Sequence, residues 1–155
     1  PSCLHRHRGF ESHSLRQLNM EIDFKKIFKE IPEFLKILGF QNAYIKEQEN
    51  TWVLEFMPSK SLTHSNGTII QGGFVSGMLD ASMSQFIMYK SNGKNLPLTL
   101  DLNVKFLQSC KPNILTIAES KIIREGKSII FTTCELFQDN VLIAHASATN
   151  KVLKL

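Results

Sequence analysis

Thirteen residues, Thr68-Ile-Ile-Gln-Gly-Gly-Phe-Val-Ser-Gly-Met-Leu-Asp80, hold the densest set of groups able to do chemistry. A β-branched run meets two consecutive glycines, Gly72 and Gly73, and a long apolar helical pattern follows. Without a Cβ, the glycines let the backbone come close to a ligand. The helix they open aims unpaired N–H groups and the positive end of its dipole back at that ligand. Such a start suits an oxyanion or a polarised carbonyl. Asp80 is the one carboxylate inside the helix and the nearest candidate for acid–base or nucleophilic work. Gln71 can donate and accept a hydrogen bond but cannot act as a base near neutral pH. The plainer reading of the glycines is close helix–sheet packing. The plainer reading of Asp80 is a solvated carboxylate or one paired with a lysine.

Helix geometry limits how these groups can work together. Asp80 lies eight residues past Gly72, about 12 Å along the axis at ~1.5 Å per residue. It cannot easily act at a carbonyl held by its own helix start. It can act at the start of an antiparallel partner helix, so chemistry by both groups implies a symmetric homodimer with its sites at the interface. A further pairing into a homotetramer stays open.

The elements that must position these residues follow from hydrophobic periodicity. Ile22, Lys26, Phe28, Ile31, Phe34, Leu35 and Leu38 mark a rough helical stripe, broken or kinked at Pro32 and stopped near Gly39. Residues 43–48 and 52–57 read as strands joined by a tight turn at Glu49-Asn50. Trp52, Leu54 and Phe56 alternate there with Val53, Glu55 and Met57. A polar loop covers 59–66. Residues 72–89 form the longest helix, apolar on most sides and therefore buried. Strands follow at 99–108, 115–124, 128–138 and 142–153, with antiparallel turns at Lys111-Pro-Asn, Glu125-Gly-Lys and Asp139-Asn140. The first of these alternates strictly, with Leu100, Leu102, Val104 and Phe106 against Thr99, Asp101, Asn103 and Lys105. One antiparallel sheet around one apolar helix satisfies this order, an α+β arrangement.

Composition narrows the function classes. A chain of 155 residues is a single domain with room for a core. Of the net charge of +4, Arg6, Arg8 and Arg16 against Glu11 place +2 in residues 1–19, so +2 remains for the rest. That is too little for a concentrated nucleic-acid face, and it suits an anionic small ligand. Cys3, Cys110 and Cys134 form neither a CxxC pair nor a metal spacing, which fits free thiols in a reducing compartment and no metal. No apolar run reaches the ~18 residues of a membrane span. Residues 1–19 read as a disordered or leader segment ahead of a domain at 20–155, dispensable for fold and activity. The protein is expected in the cytoplasm, or in an organelle if that leader is a transit segment.

At this point the chain resembles hotdog-fold acyl-CoA thioesterases of the phenylacetate-pathway (PaaI) type. The resemblance rests on Asn66-Gly67-Thr68, Gln71-Gly72-Gly73, Asp80 within the helix, residues 98–107, Arg124-Glu-Gly-Lys-Ser128 and Leu142-Ile-Ala-His-Ala146. It runs through about residues 34–153 in the right order. It implies a hotdog sheet around the central helix, hydrolysis of an acyl-CoA to free acid and CoA, and a dimer-interface site. Coenzyme A would enter only as part of the substrate, with no separate cofactor. The family often has His before the double glycine; this chain has Gln71, which resembles a Gln-Gly-Gly subgroup. The resemblance carries the helix carboxylate onto Asp80, the backbone N–H that polarises the thioester carbonyl onto Gly72 or Gly73, and a water-positioning hydroxyl onto Thr99. A polar group for the carbonyl or water falls on Ser65 or Asn66.

Lys90, Lys94, Arg124 and Lys127 lie at element ends, where CoA phosphates could dock; a solvated rim is the plain alternative. Phe74, Met78, Phe86 and Met88 suit an apolar or aromatic acyl pocket, or any core. His64 and His145 read as loop and sheet residues, and Cys110 and Cys134 as structural, with no His placed to activate them. The competing reading is a non-catalytic acyl-CoA-binding hotdog protein, a sensor or scaffold. A hotdog dehydratase would want a His on the central helix, which has none.

Overall fold

Helix α2 (Gly72–Lys90) is the axis around which the rest of the chain is arranged in the computed structural model, which describes residues 19–21 and 30–155. The other elements are β1 (Asn19–Glu21), α1 (Glu33–Ile37), β2 (Phe40–Lys46), β3 (Thr51–Phe56), β4 (Asn95–Phe106), β5 (Thr116–Glu125), β6 (Ile129–Gln138) and β7 (Val141–Lys154). The strands form one seven-stranded sheet in the order β1-β2-β3-β5-β6-β7-β4, antiparallel at every pairing. Strands β3 to β7 all contact α2. This is the hotdog arrangement.

Packing explains the position of α2. Met78, Leu79, Met83 and Phe86 are fully buried. Trp52 of β3 stacks on Phe86 with ring centroids 6.1 Å apart and lies 4.9 Å from Tyr89. Removing an aromatic ring from such a site costs about 3–5 kcal/mol. Ser120 of β5 donates to the Ser82 hydroxyl at 2.8 Å, both side chains fully buried, which pins the helix laterally to the sheet. Gly73, Gly77, Asp80 and Ser84 follow one face at helical spacing and are not fully covered by the chain's own sheet. Phe34 of α1 reaches that face: a Cβ on Gly77 would lie 3.3 Å from its ring.

Several local expectations change. Residues 1–18 of the expected 1–19 leader lie outside the described residues, as do Ile22, Lys26 and Phe28; Asn19 opens the short strand β1, paired with Lys46. Pro32 precedes α1 and caps its start rather than kinking it, because a proline lacks only an N–H that the first turn leaves unpaired. Gly39 does end that segment, at φ +82°, where a Cβ would strike the Met57 carbonyl at 2.2 Å. Strand β2 starts at Phe40, and Glu47–Glu49 form a 3₁₀ turn closed by Asn50 at φ 48°. Val53 is as buried as Trp52 and Leu54, so the alternation in β3 leaves no wet face there.

The strict alternation expected in β4 is interrupted. Thr99 pairs with Asn150 and Asp101 with Thr149, leaving Leu100 as a bulge. One extra residue reverses the phase of the strand. Thr99 therefore faces α2 together with Leu102 and Val104, which pack on the core, although uninterrupted alternation would put it on the other side.

Candidate active site

The start of α2 is held by loops from two directions. Ile70 N–H donates to the Cys110 carbonyl at 2.8 Å and Gln71 N–H to the Leu62 carbonyl at 2.9 Å. The Cys110 loop is itself clamped by Gln138, whose side chain accepts from Lys111 N–H at 2.9 Å and donates to the Lys111 carbonyl at 2.9 Å. Gln71 then caps the helix: its Oε1 accepts from Gly73 N–H at 2.9 Å. Phe74 N–H turns back to the Gln71 carbonyl at 2.9 Å. Gly72 N–H makes no hydrogen bond among the described residues. Of the two glycines expected to offer a donor, Gly73 is occupied and Gly72 is free. The ring of Phe106 edges Gly72, 3.3 Å from where a Cβ would stand.

Two turns further on, side chains from separate elements converge. Thr99 Oγ1 of β4 donates to Asp80 Oδ1 at 2.7 Å. The same hydroxyl lies 3.3 Å from Asn150 Oδ1 of β7. Asn150 Nδ2 in turn donates to Thr132 Oγ1 of β6 at 3.1 Å. Asn150 and Thr132 are buried, and Asp80 and Thr99 are half-buried. Asp80 Oδ2 has no hydrogen-bond partner among the described residues. A half-buried carboxylate with one oxygen held and one open can accept a proton or attack an electrophilic carbon.

The structure thus joins Asp80 and Thr99 and leaves both apart from the helix start. Asn66 Oδ1 accepts from Thr68 N–H at 3.1 Å, and Gly67 N–H donates to the His64 carbonyl at 2.9 Å, so the Asn66 side chain closes its own turn. Ser65 and Asn66 are exposed at the tip of that turn, with no hydrogen bond to Asp80, Thr99 or Gly72. Phe74 packs against the core, and Phe86 and Met78 are fully buried within it, Phe86 against Trp52. These two belong to the core, leaving Phe74 and Met88 as the half-buried members of the proposed acyl pocket. Asn150 and Thr132 gave no sequence signal, since Thr and Asn in β6 and β7 look like ordinary strand polarity.

The cationic residues gather at one end of the sheet. Val152 N–H donates to the Ser128 carbonyl at 2.9 Å, Lys154 pairs with Asn95, and Leu155 N–H donates to the Lys94 carbonyl at 3.0 Å. The β5–β6 hairpin with Arg124 and Lys127 is thereby brought to the end of β7 and the start of β4. Lys151 and Lys154 join them, and Lys90 lies at the nearby C-terminus of α2, 5.9 Å from the Phe86 ring centroid. Lys90, Lys94, Arg124 and Lys127 are exposed and make no ion pair among the described residues.

Burial pushes the Cys134 thiol up to about 12 and the Cys110 thiol up to about 11, which removes both as nucleophiles near neutral pH. No cluster of His, Cys, Asp and Glu among the described residues could hold a metal ion. No helix among them is long and apolar enough to cross a membrane.

The Thioesterase superfamily family model matches residues 67–144, just over half of the chain, from the turn before α2 into β7. A phenylacetic acid degradation-related protein of Ralstonia eutropha JMP134 is similar in fold, with a TM-score of 0.72 and 23% identity over 79% of this chain and 91% of that one. Zebra fish Thioesterase Superfamily Member 2 gives 0.65 and 21% over 84% and 92%. A hypothetical thioesterase protein of Streptococcus pneumoniae TIGR4, solved with coenzyme A, gives 0.61 and 13% over 67% and 82%. No curated protein sequence matches significantly.

Proposed function

This chain belongs to the Thioesterase superfamily, and we propose that it hydrolyses an acyl-CoA thioester to free acid and CoA at a site shared by two copies of the chain. The observation that carries this reading is the Asp80 carboxylate, held by Thr99 as the one carboxylate of a largely apolar helix whose first N–H, that of Gly72, has no partner among the described residues.

The thioester oxygen takes the Gly72 N–H of one copy. One preorganised donor of this kind is worth roughly 3–4 kcal/mol in the transition state. Asp80 of the other copy faces the carbonyl carbon. As a base it removes a proton from water as the water oxygen attacks; the C–S bond then breaks, and the proton passes to the leaving CoA sulfur. As a nucleophile its oxygen attacks the carbonyl carbon, the C–S bond breaks and CoA leaves as thiolate; water then opens the resulting anhydride, freeing the acid and Asp80, and the proton released goes to the CoA sulfur. In single turnover in oxygen-labelled water, label in Asp80 identifies the second route with water attacking the Asp80 carbonyl, whereas trapping of the anhydride by hydroxylamine reports that route whichever carbonyl water attacks. Thr99 and Ser65 or Asn66 orient the water or the carbonyl, with Gln71 holding the helix start. The basic end formed by Lys90, Lys94, Arg124 and Lys127, with Lys151 and Lys154, receives the CoA phosphates. The half-buried Phe74 and Met88 favour an apolar or aryl acyl group, consistent with a PaaI-type enzyme.

The dimer is supported by the edge strand. β4 pairs with β7 on one side and ends the sheet on the other, with no further strand beyond it among the described residues and with Leu98, Leu100 and Phe106 each more than 40% exposed. A long apolar edge invites pairing with another strand. Antiparallel pairing of β4 with its copy would set the two α2 helices side by side and cover the Gly73–Asp80 face.

Hydrolysis of acetyl-, hexanoyl-, palmitoyl- and phenylacetyl-CoA, followed by CoA release, tests the activity. Turnover of at least one is expected without added metal. Tight binding with no turnover would instead identify an acyl-CoA sensor or scaffold. Mixing Asp80→Ala with Gly72→Val chains tests the shared site. Each mixed dimer carries one doubly damaged and one intact site, so activity recovers to about half of wild type per dimer. Proven heterodimers without recovery would place each site within one chain.

A further inference from the structure

A proton count around Thr99 points beyond Asp80 and Thr99 themselves. The Thr99 hydroxyl has one proton and two acceptors in reach, Asp80 Oδ1 at 2.7 Å and Asn150 Oδ1 at 3.3 Å. The carboxylate is nearer and charged, so it takes the proton. With its carbonyl toward Thr99, the buried Asn150 is then left with an acceptor facing an acceptor, which is unfavourable in a buried site. The two ends of an asparagine amide are alike in shape, and the network decides which is which. With the amide turned, Nδ2 donates to Thr99 Oγ1, Thr99 donates to Asp80, and Thr132, at 3.1 Å on the other side, donates to the Asn150 carbonyl. All three bonds are then made in one direction, each reinforcing the next.

We infer that Asn150 is a positioning residue: it occupies the lone pair of the Thr99 hydroxyl, and so commits the single Thr99 proton to Asp80 Oδ1 and leaves Oδ2 as the reacting oxygen. This rests on the proposed catalytic role of Asp80. The β4 bulge is what makes the contact possible, because it turns Thr99 inward opposite Asn150. Asn150 is fully buried and acts only through Thr99.

A double-mutant cycle tests this, using the member of the CoA panel turned over fastest. Asn150→Ala is expected to lower kcat about tenfold, the equivalent of one hydrogen bond, with KM within about twofold. In a Thr99→Val background the same change lowers kcat less than about twofold further, since the proton it directs is gone. A Thr99→Ser background keeps the hydroxyl and restores the sensitivity to Asn150. Thr132→Val, close to isosteric, gives a smaller loss with the same dependence on Thr99 and serves if Asn150→Ala does not fold. An equal loss in the parent chain and in the Thr99→Val background would overturn the proposal. Three-bond NMR couplings that report the Thr99 χ1 angle give a readout free of catalysis. One rotamer is expected in the parent chain and rotamer averaging in Asn150→Ala; an unchanged rotamer would also overturn it. Asp80→Asn with full kcat would remove the catalytic reading of Asp80, while the NMR result would still decide whether Asn150 orients Thr99.

Discussion

The first turn of α2 presents its chemistry through the backbone, whereas the middle of the same helix presents it through side chains. At the first turn, Gln71 caps Gly73 and leaves Gly72 N–H without a partner among the described residues, the proposed donor. Everything needed there lies within three consecutive residues, plus two loop carbonyls that hold the entry. Around Asp80, four residues from α2, β4, β6 and β7 meet, and none of them is close to another in sequence. A helix start builds an oxyanion-binding group almost by itself. A carboxylate with one oxygen tied and one open needs a folded sheet behind it. Both regions sit on one rigid rod, about 12 Å apart, which is why the proposed site draws on two chains.

The largest expected effect breaks the side-chain half. Asp80→Asn retains shape and some hydrogen bonding but loses basicity and nucleophilicity, and kcat is expected to fall by about 10³ with the melting temperature little changed. Unchanged kcat would leave the mid-helix region with a structural role only. Next, Gly72→Val breaks the backbone half. Its side chain blocks the approach to the free N–H, and the neighbouring Phe106 is exposed enough to move aside. A fall of about 10² in kcat/KM is expected, and a loss confined to folding would show that the glycine serves packing.

The basic end separates binding from chemistry. Lys127→Glu is expected to raise KM about three- to tenfold at low salt and less at high salt, with kcat nearly constant, because exposed charges are screened. A kcat effect that ignores salt would remove the phosphate-docking role. The smallest effect sharpens the difference between the two glycines. Gln71→Ala loses the cap on Gly73 N–H, worth about 1 kcal/mol, or roughly 2–4 °C in a chain of this size. Its cost in kcat/KM is expected to be at least tenfold smaller than that of Gly72→Val. Thermal melts and steady-state kinetics on the two variants decide it.

Local signals were enough for α2 and for most strands and turns. Hydrophobic period and turn residues are carried by neighbours in the chain, so they are legible before any folding is considered. The β1 strand was not legible, because three residues carry too little pattern. The burial of Val53 was hidden for another reason: alternation reports the two faces of a strand but not what covers them.

The sequence alone determined the helix start, since Gln71, Gly72 and Gly73 are adjacent and their geometry follows from the first turn. It also determined that Gly72 and Asp80 lie too far apart on one helix to share a substrate atom. Only the tertiary structure decided that Gly73 is occupied while Gly72 has no partner among the described residues, because this depends on where the Gln71 side chain rests. It alone decided that Thr99 reaches Asp80, since a single bulge at Leu100 reverses the face of every residue on one side of it. The contacts of Asn150 and Thr132, and the gathering of Lys151 and Lys154 with Arg124 and Lys127, likewise come from strand register. Register is set by pairing between distant segments, and no single segment contains it.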